Sequence, residues 1–124
     1  MRSARQGNVF RWEGEYWTIV YERQTVRLRD SKGMRYLAAL LRRPGEPISA
    51  VELHVAARRD PSRRPAITPS AEQARLAVTK GIKSVLERIA NANPALADHL
   101  TATVRRGYVC RYLPDPRHPI AWKE

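Results

Sequence analysis

Apolar positions recur along the chain with two different periods, and the switches between them divide it into elements. From Tyr16 to Tyr21 the period is two. Tyr16, Thr18 and Val20 alternate with Trp17, Ile19 and Tyr21 in a β-prone run that is apolar on both faces. A turn over residues 22–24 leads into a second run, residues 25–29, where Val26 and Leu28 alternate with polar neighbours. The pair predicts a hairpin, and residues 8–12 predict a third strand beside it. Trp12 and Trp17 fit core and sheet-packing positions, because indole supplies a large apolar area with one polar handle.

The period then becomes helical. Met34, Leu37, Ala38 and Leu41 share one face of a helix capped by Asp30 or Ser31. That helix should stop at Arg42-Arg43-Pro44-Gly45, since proline biases the preceding residue away from helical torsions. Ser49 and Glu52 have capping-box spacing and open a short helix through about Ala57, with Val51 and Val55 facing inward.

The longest periodic stretch follows, at residues 70–90. Ser70 and Gln73 form a second capping box, and Val78, Ile82, Val85, Leu86 and Ile89 make one apolar stripe. Opposite them stands a mostly basic face of Arg75, Thr79, Lys80, Lys83 and Glu87. Asn93-Pro94 then starts a short extra helix to about His99, with asparagine as cap and proline in the first turn. Leu96 and Leu100 would face the core. Residues 100–104 and 108–113 predict a second hairpin turning at Arg105-Arg106-Gly107, where glycine allows the torsions of a short turn.

Three segments lack such patterns. Residues 1–7 read as a flexible basic arm, and residues 114–124 as an extended tail in which Trp122 docks on the body or on a partner. Residues 58–69 form a loop holding four arginines and three prolines against one acid, Asp60. This loop is either a phosphate or partner contact or a solvated linker.

Charge changes the picture more than composition does. The 124 residues carry 23 Lys+Arg against 12 Asp+Glu, a formal net charge of +11 that is mostly arginine. Arginine forks pair with phosphate bidentately, and a field of one sign accelerates encounter with a polyanion. Catalysis finds little support. There is no Ser/His/Asp arrangement, no glycine-rich phosphate loop and no convincing carboxylate pair. Cys110 is the single cysteine, and His54, His99 and His118 stand apart, so no metal site or other cofactor is expected. No long apolar run opens the chain, which predicts a cytoplasmic protein without a membrane span or an evident small-molecule substrate.

The order of strands, two helices, long helix and hairpin resembles the winged-helix effector domain of OmpR/PhoB-type response regulators, without a receiver domain. Three stretches carry the resemblance. One is Tyr36 to Ile48, a leucine-rich helix and its following turn. Another is the Val78, Ile82, Val85, Ile89 stripe. The third is Thr101-Ala102-Thr103-Val104-Arg105-Arg106-Gly107-Tyr108, similar to that family's wing. Lys80 stands where the family prefers an apolar residue.

The resemblance implies an α+β fold over residues 8–113. It would be a winged helix-turn-helix with an N-terminal antiparallel sheet (8–29), two helices (31–57), a recognition helix (70–90), a short extra helix and a C-terminal β-hairpin wing (100–113). It also implies a DNA-binding transcriptional regulator with double-stranded DNA as partner, alone, as a homodimer or with a protein partner. Arg75, Thr79, Lys80 and Lys83 would face the major groove. Arg105, Arg106 and Arg111 would face the minor groove or the phosphates. The competing expectation is a winged helix used for protein contact through the N-terminal sheet, Trp122 and the arginine-proline loop.

Overall fold

The computed structural model describes residues 8–57, 69–117 and 120–124. The basic arm at 1–7 and nearly all of the arginine-proline loop lie outside the described residues. Three strands come first: β1 (Asn8–Trp12), β2 (Tyr16–Tyr21) and β3 (Gln24–Arg29), paired antiparallel as a meander. The β2–β3 connection is tighter than expected. Gln24 already belongs to β3, and the turn residues Glu22 and Arg23 both have positive φ. That is the two-residue hairpin form whose twist matches its strands. The Asn8 side chain supports it by accepting from the Glu22 amide at 3.3 Å.

Helix α1 (Lys32–Arg42) starts at Ser31, whose hydroxyl accepts from the Met34 amide. All four anticipated inward residues are buried, with Gly33, Tyr36 and Leu40 beside them. A short strand β4 (Ile48–Ser49) leads into α2 (Ala50–Ala56). Here the expected reciprocal box is only half made. Ser49 caps the Glu52 amide, while the Glu52 carboxylate takes an N–H from Arg43 at 3.0 Å. The inward residues of α2 are Ala50 and Leu53; Val51 and Val55 are only half-buried.

Helix α3 (Ala71–Ala92) carries the complete Ser70–Gln73 box and buries the whole anticipated stripe together with Ala74. It runs two residues past the expected end. Asn93 then caps α4 (Pro94–Thr103), accepting from the Leu96 amide at 3.2 Å while itself only 2% exposed. The fourth helix is longer than the short turn expected to end near His99, so residues 100–103 are helical and not strand. The hairpin that follows is correspondingly short: β5 (Val104–Arg105) and β6 (Val109–Tyr112).

Two sheets flank the helices. One has the order β4-β6-β5, so the segment before α2 is stitched to the C-terminal hairpin. The other has the order β3-β2-β1-β7, completed by β7 (Trp122–Lys123) lying parallel to β1. The tail is therefore part of the body. Trp122 packs on Phe10 and Tyr21 and donates its indole N–H to the Tyr112 hydroxyl at 3.1 Å, linking the sheets.

The core is continuous from Phe10, Trp17 and Ile19 through the inward faces of all four helices to Cys110 and Tyr112. Helices α1 and α3 meet at Gly33 and Gly81, where neither residue leaves room for a Cβ. Trp12 departs from its expected place. It pairs with buried Trp17 across the β1–β2 ladder, yet is 56% exposed. It shares a strand face with Phe10 but is the last residue of β1.

Candidate nucleic-acid interface

Helix α3 is positioned from three sides. Its stripe packs on α1, α2 and α4, and its N-terminal turn meets the hairpin. At about 100° per residue, the direction opposite the buried stripe passes through Leu76, Lys80, Lys83 and Glu87. All four are exposed, Leu76 among them despite its size. Lys80 thus points outward and does not fill a core position. Arg75 and Thr79 lie at the margin of the buried stripe and are half-buried. The anticipated basic face is therefore split into an outward line and a flank.

The flank meets the hairpin. Arg75 donates through Nε (3.1 Å) and Nη2 (2.7 Å) to the Glu72 carboxylate, three residues earlier on the helix. Its guanidinium also lies 5.2 Å from the ring centroid of Tyr108, whose hydroxyl donates to the same Glu72 carboxylate. Cation, ring and carboxylate form one closed cluster across the helix–hairpin junction. Its electrostatics are consistent throughout. Hydrogen bonds from Arg75 and Tyr108 pull the Glu72 carboxyl down to about 2, and the same contacts hold the Arg75 pKa above its usual value.

On the hairpin, Arg105 and Arg111 are cross-strand partners, and Arg106 sits at the turn; all three are exposed. Arg105 donates to the Ala102 carbonyl at 2.8 Å, which ties its side chain back to the end of α4. The hairpin is anchored at its other edge as well. The Ala50 amide donates to the Tyr108 carbonyl at 2.8 Å and the Gly45 amide to the Tyr112 carbonyl at 2.7 Å.

Glu72 and Tyr108 were absent from the sequence-derived site. The Glu72–Arg75 spacing in a first helical turn was a readable signal. The Tyr108 contact spans 36 positions and had none.

Elsewhere, α1 and the N-terminal sheet enclose an open groove of about 860 Å³. Its lining includes Trp12, Trp17, Ala38 and Ala39, with Arg29 and Arg42 also among its residues. Among the described residues no group of three or more His, Cys, Asp or Glu could hold a metal ion, and no helix is long and apolar enough to cross a membrane. Against protein-family models, curated proteins and solved structures, the chain matches none.

Proposed function

We propose that this chain is a winged-helix DNA-binding regulator, with α3 as recognition helix and the β5–β6 hairpin as wing. The observation that carries the reading is the Glu72–Arg75–Tyr108 cluster. It joins the hairpin to the first turn of α3, so that the element carrying the exposed lysines and the element carrying the exposed arginines are tied to one another. The strand β4, added to the hairpin sheet between α1 and α2, supports the same plan, and the net charge of +11 supplies the long-range attraction.

In this reading Lys80 and Lys83 enter the major groove, where an ammonium can reach guanine O6 and N7 or a phosphate. Thr79 lies at the groove wall. Arg106 and Arg111 meet phosphates or a narrow minor groove, with Arg105 beside them. Arg75 acts as the strut that sets the angle between helix and wing.

The test is selection from random-sequence DNA duplexes at two salt concentrations, with sequencing of what is retained. A motif that survives the higher salt is the expected result. Salt-sensitive capture without a motif would reduce the reading to nonspecific binding, and no capture at low salt would refute it.

A further inference from the structure

The outer face of the N-terminal sheet shares no residue with α3 or the hairpin. Phe10, Trp17, Ile19, Tyr21 and Val26 belong to the core. Strand alternation puts their neighbours on the opposite face, and the pairing register sets those neighbours in rows. Arg11, Thr18 and Arg27 form one row across β1, β2 and β3. Tyr16 and Arg29 are partners in the row on one side of it. On the other side, Lys123 of β7 joins Val9, Val20 and Thr25. Arg11, Arg27, Arg29 and Lys123 are all exposed.

Several arginines elsewhere have carboxylate partners: Arg35 has Asp30, Arg42 has Glu124, Arg43 has Glu46 and Glu52, and Arg75 has Glu72. The four cations of the sheet face do not. Among the described residues none of them has a carboxylate within ion-pair distance. One acid reaches the face: Glu13, just past β1, accepts from the Thr18 hydroxyl at 3.0 Å. Two residues apart on one strand, Arg27 and Arg29 have backbone positions about 7 Å apart. That is within the screening length of about 8 Å at physiological ionic strength, so the two repel until an anion joins them.

We propose that the outer face of this sheet binds the phosphate backbone of duplex DNA without reading its sequence, through Arg11, Arg27, Arg29 and Lys123. Guanidinium forks, an ammonium and the exposed hydroxyls of Tyr16 and Thr25 are all donors to phosphate oxygens. Other occupants need features this face lacks. A protein segment is anchored by large apolar side chains in desolvated pockets, whereas the apolar members here are Val9 and Val20, both half-buried. A single strand of nucleic acid is held by stacking on successive aromatic rings, and Tyr16, 40% exposed, is the one aromatic residue in these rows. A second copy of the chain brings another +11 and is repelled. The sheet thus supplies an anchor on DNA that is separate in residues from Lys80, Lys83, Arg105 and Arg106, and it stands whether or not α3 reads a motif.

Fluorescence anisotropy of a short mixed-sequence DNA duplex, titrated with the full chain across a salt series, tests this. The triple variant Arg11→Gln/Arg27→Gln/Arg29→Gln should bind about tenfold more weakly or worse, and its slope of log affinity against log salt should be shallower by about 2–3, since each lost phosphate contact releases about one counterion fewer. Lysine at the same three positions should restore the slope, because charge drives it. Selection from random duplexes should return the same motif from the glutamine variant as from the parent. All three positions are exposed, and circular dichroism with thermal melting verifies that each variant folds. An unchanged slope in the folded glutamine variant would overturn the proposal, as would a lysine variant no better than the glutamine one. Competition by polyglutamate equal to that of the duplex at matched charge would overturn it too, making this a face for acidic protein. A motif lost only from the glutamine variant would refute a sequence-independent role. A shallower slope with no motif from either chain would support the sheet anchor and remove sequence reading by α3.

Discussion

Substituting Gly33 by alanine isolates the contact that seats α3 against α1. Two effects oppose each other. Alanine is favoured over glycine by about 1 kcal/mol in a helix interior, because less backbone entropy is lost on folding, and by less at position 33, the second residue of α1. Against that, a Cβ at position 33 would lie 2.3 Å from the Gly81 carbonyl oxygen and 2.5 Å from Val85 Cγ2. The first obstacle is backbone and the second is a side chain in the fully packed stripe, so relief requires the helices to move apart. Overpacking a core costs about 1–3 kcal/mol, and a backbone obstacle places this case at the upper end. The net loss is then roughly 2 kcal/mol, a fall in Tm on the order of 5–10 °C for a domain of this size. Urea unfolding followed by circular dichroism measures it as a lower midpoint at unchanged m. Gly81→Ala meets the Tyr36 ring at 2.9 Å, and because Tyr36 is fully buried and bonded to His54 its ring must shift within a packed core, so this variant should lose stability as well. If Gly33→Ala is as stable as the parent or more so, the helices do not cross at these glycines and the account of α3's placement is wrong.

Other consequences follow from the same structure. Asn93→Ala removes the buried cap between α3 and α4 and should cost about 1–2 kcal/mol in urea unfolding. His99 is half-buried beside Tyr21, with its Nε2 2.9 Å from the Tyr112 hydroxyl, and burial lowers its pKa below 6.5. The unfolded chain therefore binds the extra proton first. Stability contributed here is complete above about pH 6.5 and declines as pH falls below it, and His99→Gln should flatten that decline in denaturation midpoints. Arg106→Ala should weaken binding to all DNA sequences alike and reduce the salt slope by about 1, whereas Lys83→Ala should relax preference at a base position. Uniform effects from both variants would separate the wing from the helix only in strength, and would refute their division of labour.

Much of the architecture was legible because its signals are local. Ser70–Gln73, Asn93–Pro94 and the Val78–Ile89 stripe each lie within one or a few helical turns, and the structure places all of them as read. The misreadings share a different cause. Residues 100–104 were expected to be strand, but residues 100–103 continue α4, whose Leu96 and Leu100 are fixed in the core. Trp12 has core composition and an exposed position, because coverage depends on where α1 lies over the sheet. The cluster that engages Arg75 depends on Tyr108, 36 positions from Glu72, and Glu52 turns from its own cap to Arg43. Contacts between residues distant in sequence leave no periodicity to read.

The pairing of β7 with β1 also sets a schedule. The β1–β3 meander holds only neighbouring residues and can form as soon as it is synthesised. Its aromatic surface at Phe10 and Tyr21 is completed by Trp122, more than a hundred positions later. At about 5–20 residues per second, a ribosome needs on the order of 5–20 s to deliver that residue. For that interval the nascent sheet has an open edge at β1 and an uncovered aromatic patch. Chaperone occupancy should accordingly peak while β7 is still unmade and fall once Trp122 has emerged.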